Sequence, residues 1–148
     1  MKLIAHRGLL NGPDVNLENC PEQIELALSR GFDCEIDLRV IDSEFYLGHD
    51  GTDYPIDKKF LDKPGLWIHA KNWQALAWLS DTQLNYFWHE EDCYTLTSHG
   101  IVWTYPNNML MARSVCVMPE NQEVGLERAS KLPIYGVCSD YIETILSK

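Results

Sequence analysis

Two carboxylates, Glu35 and Asp37, stand inside the otherwise apolar run 34–38 of the strand expected over 33–40. Burying unpaired carboxylates in a strand is expensive, so the pattern asks for a countercharge: a base such as Arg39, or a cation. Strand alternation sends both side chains to one face, about 6.6 Å apart at roughly 3.3 Å per residue, which lets one ion bridge them. Oxygen ligands suit Mg²⁺ or Ca²⁺. Two histidines flank the pair in sequence, His6 in Ala5-His6-Arg7-Gly8 and His49 in Gly48-His49-Asp50, each closing a short apolar run. Histidine titrates near neutrality and is the usual group for moving protons there. Arg7, between His6 and Gly8, offers a planar fork for phosphate oxygens. Carboxylates for a cation, a guanidinium for phosphate and two imidazoles for protons make up the inventory of metal-assisted phosphate-ester cleavage.

The order and spacing of His6-Arg7-Gly8, Glu18-Asn19-Cys20-Pro21-Glu22, Glu35-Ile36-Asp37 and His49-Asp50 resemble the glycerophosphodiester phosphodiesterase family, within the phosphatidylinositol-phospholipase-C-like phosphodiesterases. The resemblance covers residues 3–50, with a weaker echo at Ser139-Asp140-Tyr141. It implies metal-dependent cleavage of a small glycerophosphodiester-like substrate, by hydrolysis or through a cyclic phosphate. His6 would assist attack and His49 would protonate the leaving alkoxide. Glu18 would sit near the metal or orient Arg7. Where that family carries Glu-x-Lys after its fourth strand, this chain has His69-Ala70-Lys71. His69 thus becomes the third metal ligand, and Lys71 is kept for the phosphate. An imidazole among the ligands shifts the expected ion from Ca²⁺ or Mg²⁺ toward Mn²⁺ or Zn²⁺. The opposing reading is a phosphate-binding module that has lost catalysis.

These residues must be held by strand ends. Apolar runs mark eight candidate strands at 2–5, 33–40, 45–47, 66–70, 84–88, 100–104, 114–118 and 135–139. Helices are expected over 19–30, 73–79 and 123–131. Asn19 and Glu22 suit a capping box at the start of the first, with Gly31 closing it. The Pro-, Asp- and Gly-rich stretch 52–65 reads as loop. This alternation, with the resemblance, predicts an α/β fold: a compact (β/α)8 TIM-type barrel with shortened or missing crossover helices, filling 1–148 as a single domain. Active sites in that fold gather at the C-terminal strand ends, where His6, Glu35, Asp37, His49, His69, Lys71, His89 and Ser139-Asp140 fall. Trp103, ending a late strand, is a candidate platform for a substrate head group, against the core role usual for tryptophan.

Composition narrows the partners. The chain has 148 residues, 45% hydrophobic and 23% charged, as an ordinary folded domain does. Its formal net charge of −10 argues against a nucleic-acid partner and against a basic patch for anionic lipid. No apolar run approaches the roughly 20 residues that span a bilayer, and no signal peptide is read before the first strand. Five cysteines without metal-type spacing are expected to be reduced thiols in a cytoplasmic protein.

Overall fold

The computed structural model describes residues 1–146. Its ten strands hydrogen-bond into one mixed sheet. Strand β1 (Lys2–Ala5) lies between β2 (Asp33–Ile41) and β10 (Gly136–Ser139). From β10 the parallel ladder runs through β9 (Ser114–Val117) to β8 (Val102–Thr104). On the other side it runs from β2 to β5 (Leu66–Ala70) and β6 (Tyr86–Trp88). Antiparallel pieces complete the sheet: β3 (Glu44–Leu47) and β4 (Tyr54–Ile56) fold back on the far half of β2, and β7 (Tyr94–Leu96) borders β8.

The sheet curls into a half-barrel. Its ends, β6 and β7, form no ladder; hydrogen bonds such as Ser98 N–H to the Tyr86 carbonyl (2.8 Å) and the Thr95 hydroxyl to the Trp88 carbonyl (2.7 Å) span the gap.

This corrects the expected (β/α)8 barrel. Only three α-helices are present among the described residues: α1 (Pro21–Ser29), α2 (Trp73–Ser80) and α3 (Gly125–Ala129). The connection from β8 to β9 has nine residues, 105–113, fewer than the dozen or so that a helical crossover between parallel strands requires. Much of the stretch read as loop instead forms β4 and a 3-10 turn (Lys58–Asp62). The β7 strand was also unforeseen; its exposed Tyr94 and Leu96 give it no buried face to mark it in sequence.

Hydrophobic material divides between the two faces of the sheet. One cluster packs Ile24 and Ala27 of α1 and Ala75 and Leu79 of α2 against Cys34, Ile36 and Ile68 of the sheet. The other, on the opposite face, contains Ile4, Trp67, Phe87, Trp103, Val115 and Cys138. Alternation along β2 sends Cys34 and Ile36 to the first face and Glu35 and Asp37 to the second. Trp103 stacks on Phe87 at 4.8 Å between ring centroids and lies 5.7 Å from Trp67. Each such ring removes about 150–250 Å² from water, on the order of 4–6 kcal/mol of transfer free energy at about 25 cal/mol per Å². The polar site therefore rests on a dry aromatic floor.

Gly8 shows why the 3-10 turn after β1 (His6–Gly8) can pack so closely on α1. Its φ is +82°, and a Cβ there would sit 3.1 Å from Ile24 Cγ1. The expected capping box does not form. Cys20 occupies the N-cap with no side-chain cap bond, and the Asn19 amide is directed elsewhere.

Candidate metal centre

Adjacent parallel strands bring three ligand atoms together. The register sets Glu35 opposite Trp67 and Asp37 opposite His69, so Glu35, Asp37 and His69 share the inner face. All three are buried, and their ligand atoms lie within 4.8 Å of one another. His69 Nδ1 is 3.2 Å from Asp37 Oδ1 and 3.8 Å from Glu35 Oε1. Ligands sharing one ion at bond lengths of about 2.0–2.2 Å have separations of this size.

The hydrogen bonds leave this spot to acceptors. His69 Nε2 faces the His89 carbonyl at 3.2 Å; a carbonyl can only accept, so Nε2 carries the proton. In neutral His69 the Nδ1 lone pair then faces two carboxylates. Asp37 Oδ1 is buried and accepts no well-formed hydrogen bond, although His69 lies beside it. Asp37 Oδ2, by contrast, accepts from Asn19 Nδ2 at 2.9 Å and has Arg7 Nε at 3.2 Å. Glu35 divides likewise: Oε2 accepts the Arg7 backbone N–H at 3.1 Å, while Oε1 faces His69. Three converging acceptors with a stranded oxygen among them fit a cation. The group could hold a metal ion, and the stacking of His69 on Phe87 (4.8 Å) fixes the imidazole plane for it. Arg39 does not supply the countercharge: it donates to the Gly48 and His49 carbonyls and holds that turn in place.

Charge in the group is unevenly shared. Burial raises the Glu35 pKa above its ordinary value, and the neighbouring Asp37 adds to the effect. Burial also works against ionised Asp37, yet His69 in its protonated form, which turns Nδ1 into a donor, together with Arg7 and Asn19 holds its carboxyl well below the usual range. Asp37 is the committed anion of the pair.

His6 stands beside the group on the first residue past β1. Its Nδ1 is 2.7 Å from Asp140 Oδ1 and its Nε2 is 3.9 Å from Glu35 Oε2. Asp140 follows β10, the neighbour of β1, and its backbone N–H is held by Glu120. Burial disfavours the imidazolium, but the Asp140 hydrogen bond and the Glu35 carboxylate outweigh it and raise the His6 pKa. A carboxylate on Nδ1 fixes the tautomer that leaves Nε2 free to take a proton.

The other expected residues spread around one cleft. A cavity of about 410 Å³ is lined by His6, Arg7, Glu35, Asp37, His49 and His69, together with Lys71 and His89. Arg7 takes φ +52° and gives Nη1 to Glu18 Oε2 at 2.9 Å. Of the two roles open to Glu18, orienting Arg7 is the one with a contact. His49 bonds Asp50 through Nδ1 at 2.8 Å. Gly48 before it has φ +154°, and a Cβ there would lie 2.2 Å from the Gly51 carbonyl oxygen; no other residue fits that turn. Lys71 lines the cleft with no ion pair among the described residues. Trp103 is only 2% exposed and forms the floor, which leaves little of its ring to serve as a head-group platform.

Asp140 and His89 fall at strand ends, as the sequence predicts for site residues. Two contributors do not stand out in the sequence: Asn19, whose amide suits a helix cap equally well, and Tyr105, which stacks on His89 at 3.5 Å and carries no local signal.

No family model, curated protein or solved structure matches this chain. Among the described residues, no helix is long and apolar enough to cross a membrane, and the cysteines are free.

Proposed function

We propose that this chain is a divalent-metal phosphodiesterase that cleaves a small phosphodiester, similar in its chemistry to the glycerophosphodiester phosphodiesterases. The observation that carries the reading is the stranded Asp37 Oδ1, facing Glu35 and His69 within reach of the His6–Asp140 pair. Glu35, Asp37 and His69 would hold a divalent cation, which would offer positive charge to the phosphoryl oxygens when bound. The imidazole donor favours Mn²⁺ or Zn²⁺ over Mg²⁺ or Ca²⁺.

The chain's own groups account for the rest. Lys71, unpaired on the cleft wall, and the remaining terminal nitrogen of Arg7 bind and orient the phosphate. His6 Nε2 takes the proton from the attacking hydroxyl, whether water or a neighbouring substrate hydroxyl, as its oxygen bonds to phosphorus. His49 gives a proton to the alkoxide as the scissile P–O bond breaks. Asp140 keeps His6 in the working tautomer. The net charge of −10 disfavours a nucleic-acid substrate.

The test is turnover of bis-p-nitrophenyl phosphate and of glycerophosphodiesters with Mg²⁺, Ca²⁺, Mn²⁺ or Zn²⁺. Wild type should turn over at least one pair, and His6→Ala and His49→Ala should each cost on the order of 10²–10⁴ in kcat at saturating metal. Phosphate binding through Arg7 and Lys71 without turnover under any of these ions would instead make the protein a binding module.

A further inference from the structure

Asp37 has two claimants. Arg7 Nε lies 3.2 Å from Oδ2, yet it is a buried donor without a well-formed hydrogen bond. On the other side of the same carboxylate, Oδ1 faces His69 and Glu35 and is equally unpartnered. A free carboxylate in this position would roll about its Cβ–Cγ bond and give both oxygens to the guanidinium, since side-by-side pairing is the preferred arrangement for Arg and carboxylate. That motion would take Oδ1 away from the ion.

One residue opposes the roll. Asn19 grips Asp37 at two points: its Nδ2 donates to Oδ2 at 2.9 Å, and its Oδ1 accepts the Asp37 backbone N–H at 2.9 Å. The amide thus ties the outer oxygen to the backbone of its own residue and fixes the carboxylate plane. Asn19 is itself only 1% exposed and takes φ +58°, a left-handed conformation that asparagine tolerates better than most residues. Its backbone N–H is also committed, to the Arg7 carbonyl at 2.9 Å. The segment bearing the amide is therefore pinned to the same turn that carries Arg7.

We propose that Asn19 is a positioning residue that apportions the two oxygens of Asp37, reserving Oδ2 for Arg7 and Oδ1 for the cation. The proposal rests on the metal-centre reading of the previous section, but its readout is cation affinity and needs no substrate. If the chain binds a metal and cleaves nothing, the phosphodiesterase reading fails and this one stands.

The experiment is a double-mutant cycle on Asn19 and Arg7, read as the Mn²⁺ dissociation constant by electron paramagnetic resonance. Asn19→Gly removes the amide and retains the left-handed backbone without strain. It should weaken Mn²⁺ binding about 10–100-fold, the usual cost of losing a residue that orients a ligand. In the Arg7→Gln background the competitor is gone, so the same Asn19→Gly change should cost less than about 3-fold; such interaction between sites is what the cycle isolates. An equal loss in both backgrounds would mean that Asn19 merely supports the local fold, and no loss in either would mean that it does not act on Asp37; both overturn the proposal. If Asn19→Gly does not fold, Asn19→Ser carries the same cycle, because its shorter side chain cannot span from the Asp37 N–H to Oδ2.

Discussion

Glu35→Gln separates a metal ligand from a structural carboxylate, because the two roles predict opposite changes in stability. In the metal-free protein, buried Glu35 lies beside committed Asp37, and its raised pKa means that ionising it destabilises the fold. The sign follows from linkage: a carboxyl whose folded pKa is raised costs stability once pH climbs past its unfolded pKa, and the cost grows until pH passes the folded value, so it is felt at pH 7. Glutamine removes the charge and keeps the shape. Its oxygen can accept the Arg7 N–H now bonded to Oε2, and its amide can turn toward the His69 Nδ1 lone pair now 3.8 Å from Oε1. The metal-free variant should therefore melt at or above the wild-type temperature. With metal the order reverses. At a free ion concentration 100 times Kd, wild type gains about 2.7 kcal/mol, roughly 5–11 °C for a chain of this length. If losing a charged ligand weakens binding about 100-fold, the variant at the same concentration gains only about 0.4 kcal/mol, roughly 1–2 °C. Thermal melts of both proteins with and without Mn²⁺, at pH 7, decide the matter. A variant that keeps the full metal shift would remove Glu35 from the centre. A metal-free variant that melts well below wild type would show that ionised Glu35 is a structural anchor, and the reasoning about its burial would fail.

Asp140→Asn turns a carboxylate acceptor into an amide that can offer N–H to His6 Nδ1, moving the imidazole proton to Nε2 and away from its working position. We expect kcat to fall on the order of 10²–10⁴ while Mn²⁺ affinity stays within about 3-fold of wild type; a parallel loss of both would mean that Asp140 shapes the centre instead of orienting His6. His89 gives the pH prediction: burial and the nearby His69 lower its pKa to about 4. Between that value and the unfolded pKa of about 6.5 the unfolded chain binds the extra proton, so this residue takes stability away as pH falls through that window. Urea midpoints at pH 7 and pH 5 should differ less in His89→Gln than in wild type, and an unchanged difference would refute the assignment.

Much of the ligand set was legible because it obeys short-range rules. Period-two alternation is a property of any strand, so Glu35 and Asp37 had to share a face once 33–41 was extended. The sharp turns at Gly8 and Gly48 were likewise written locally, since only glycine takes those backbone angles without a clash. Helix α1 appeared close to where Pro21 and Gly31 bracket it. What the chain alone could not decide was which of these local pieces meet. Asp140 reaches His6 across 134 residues, through the pairing of β10 with β1. Asn19 looked like a cap because capping and clamping use the same amide; only the approach of β2 makes Asp37 the nearer partner. The closed barrel fails on a length the sequence does contain: the nine residues 105–113 between β8 and β9 are too few to return as a helix. Local sterics and periodicity are read residue by residue. Partners distant in sequence are chosen by the packing of the whole sheet, where burial of the aromatic floor sets the register that brings three acceptors to one point.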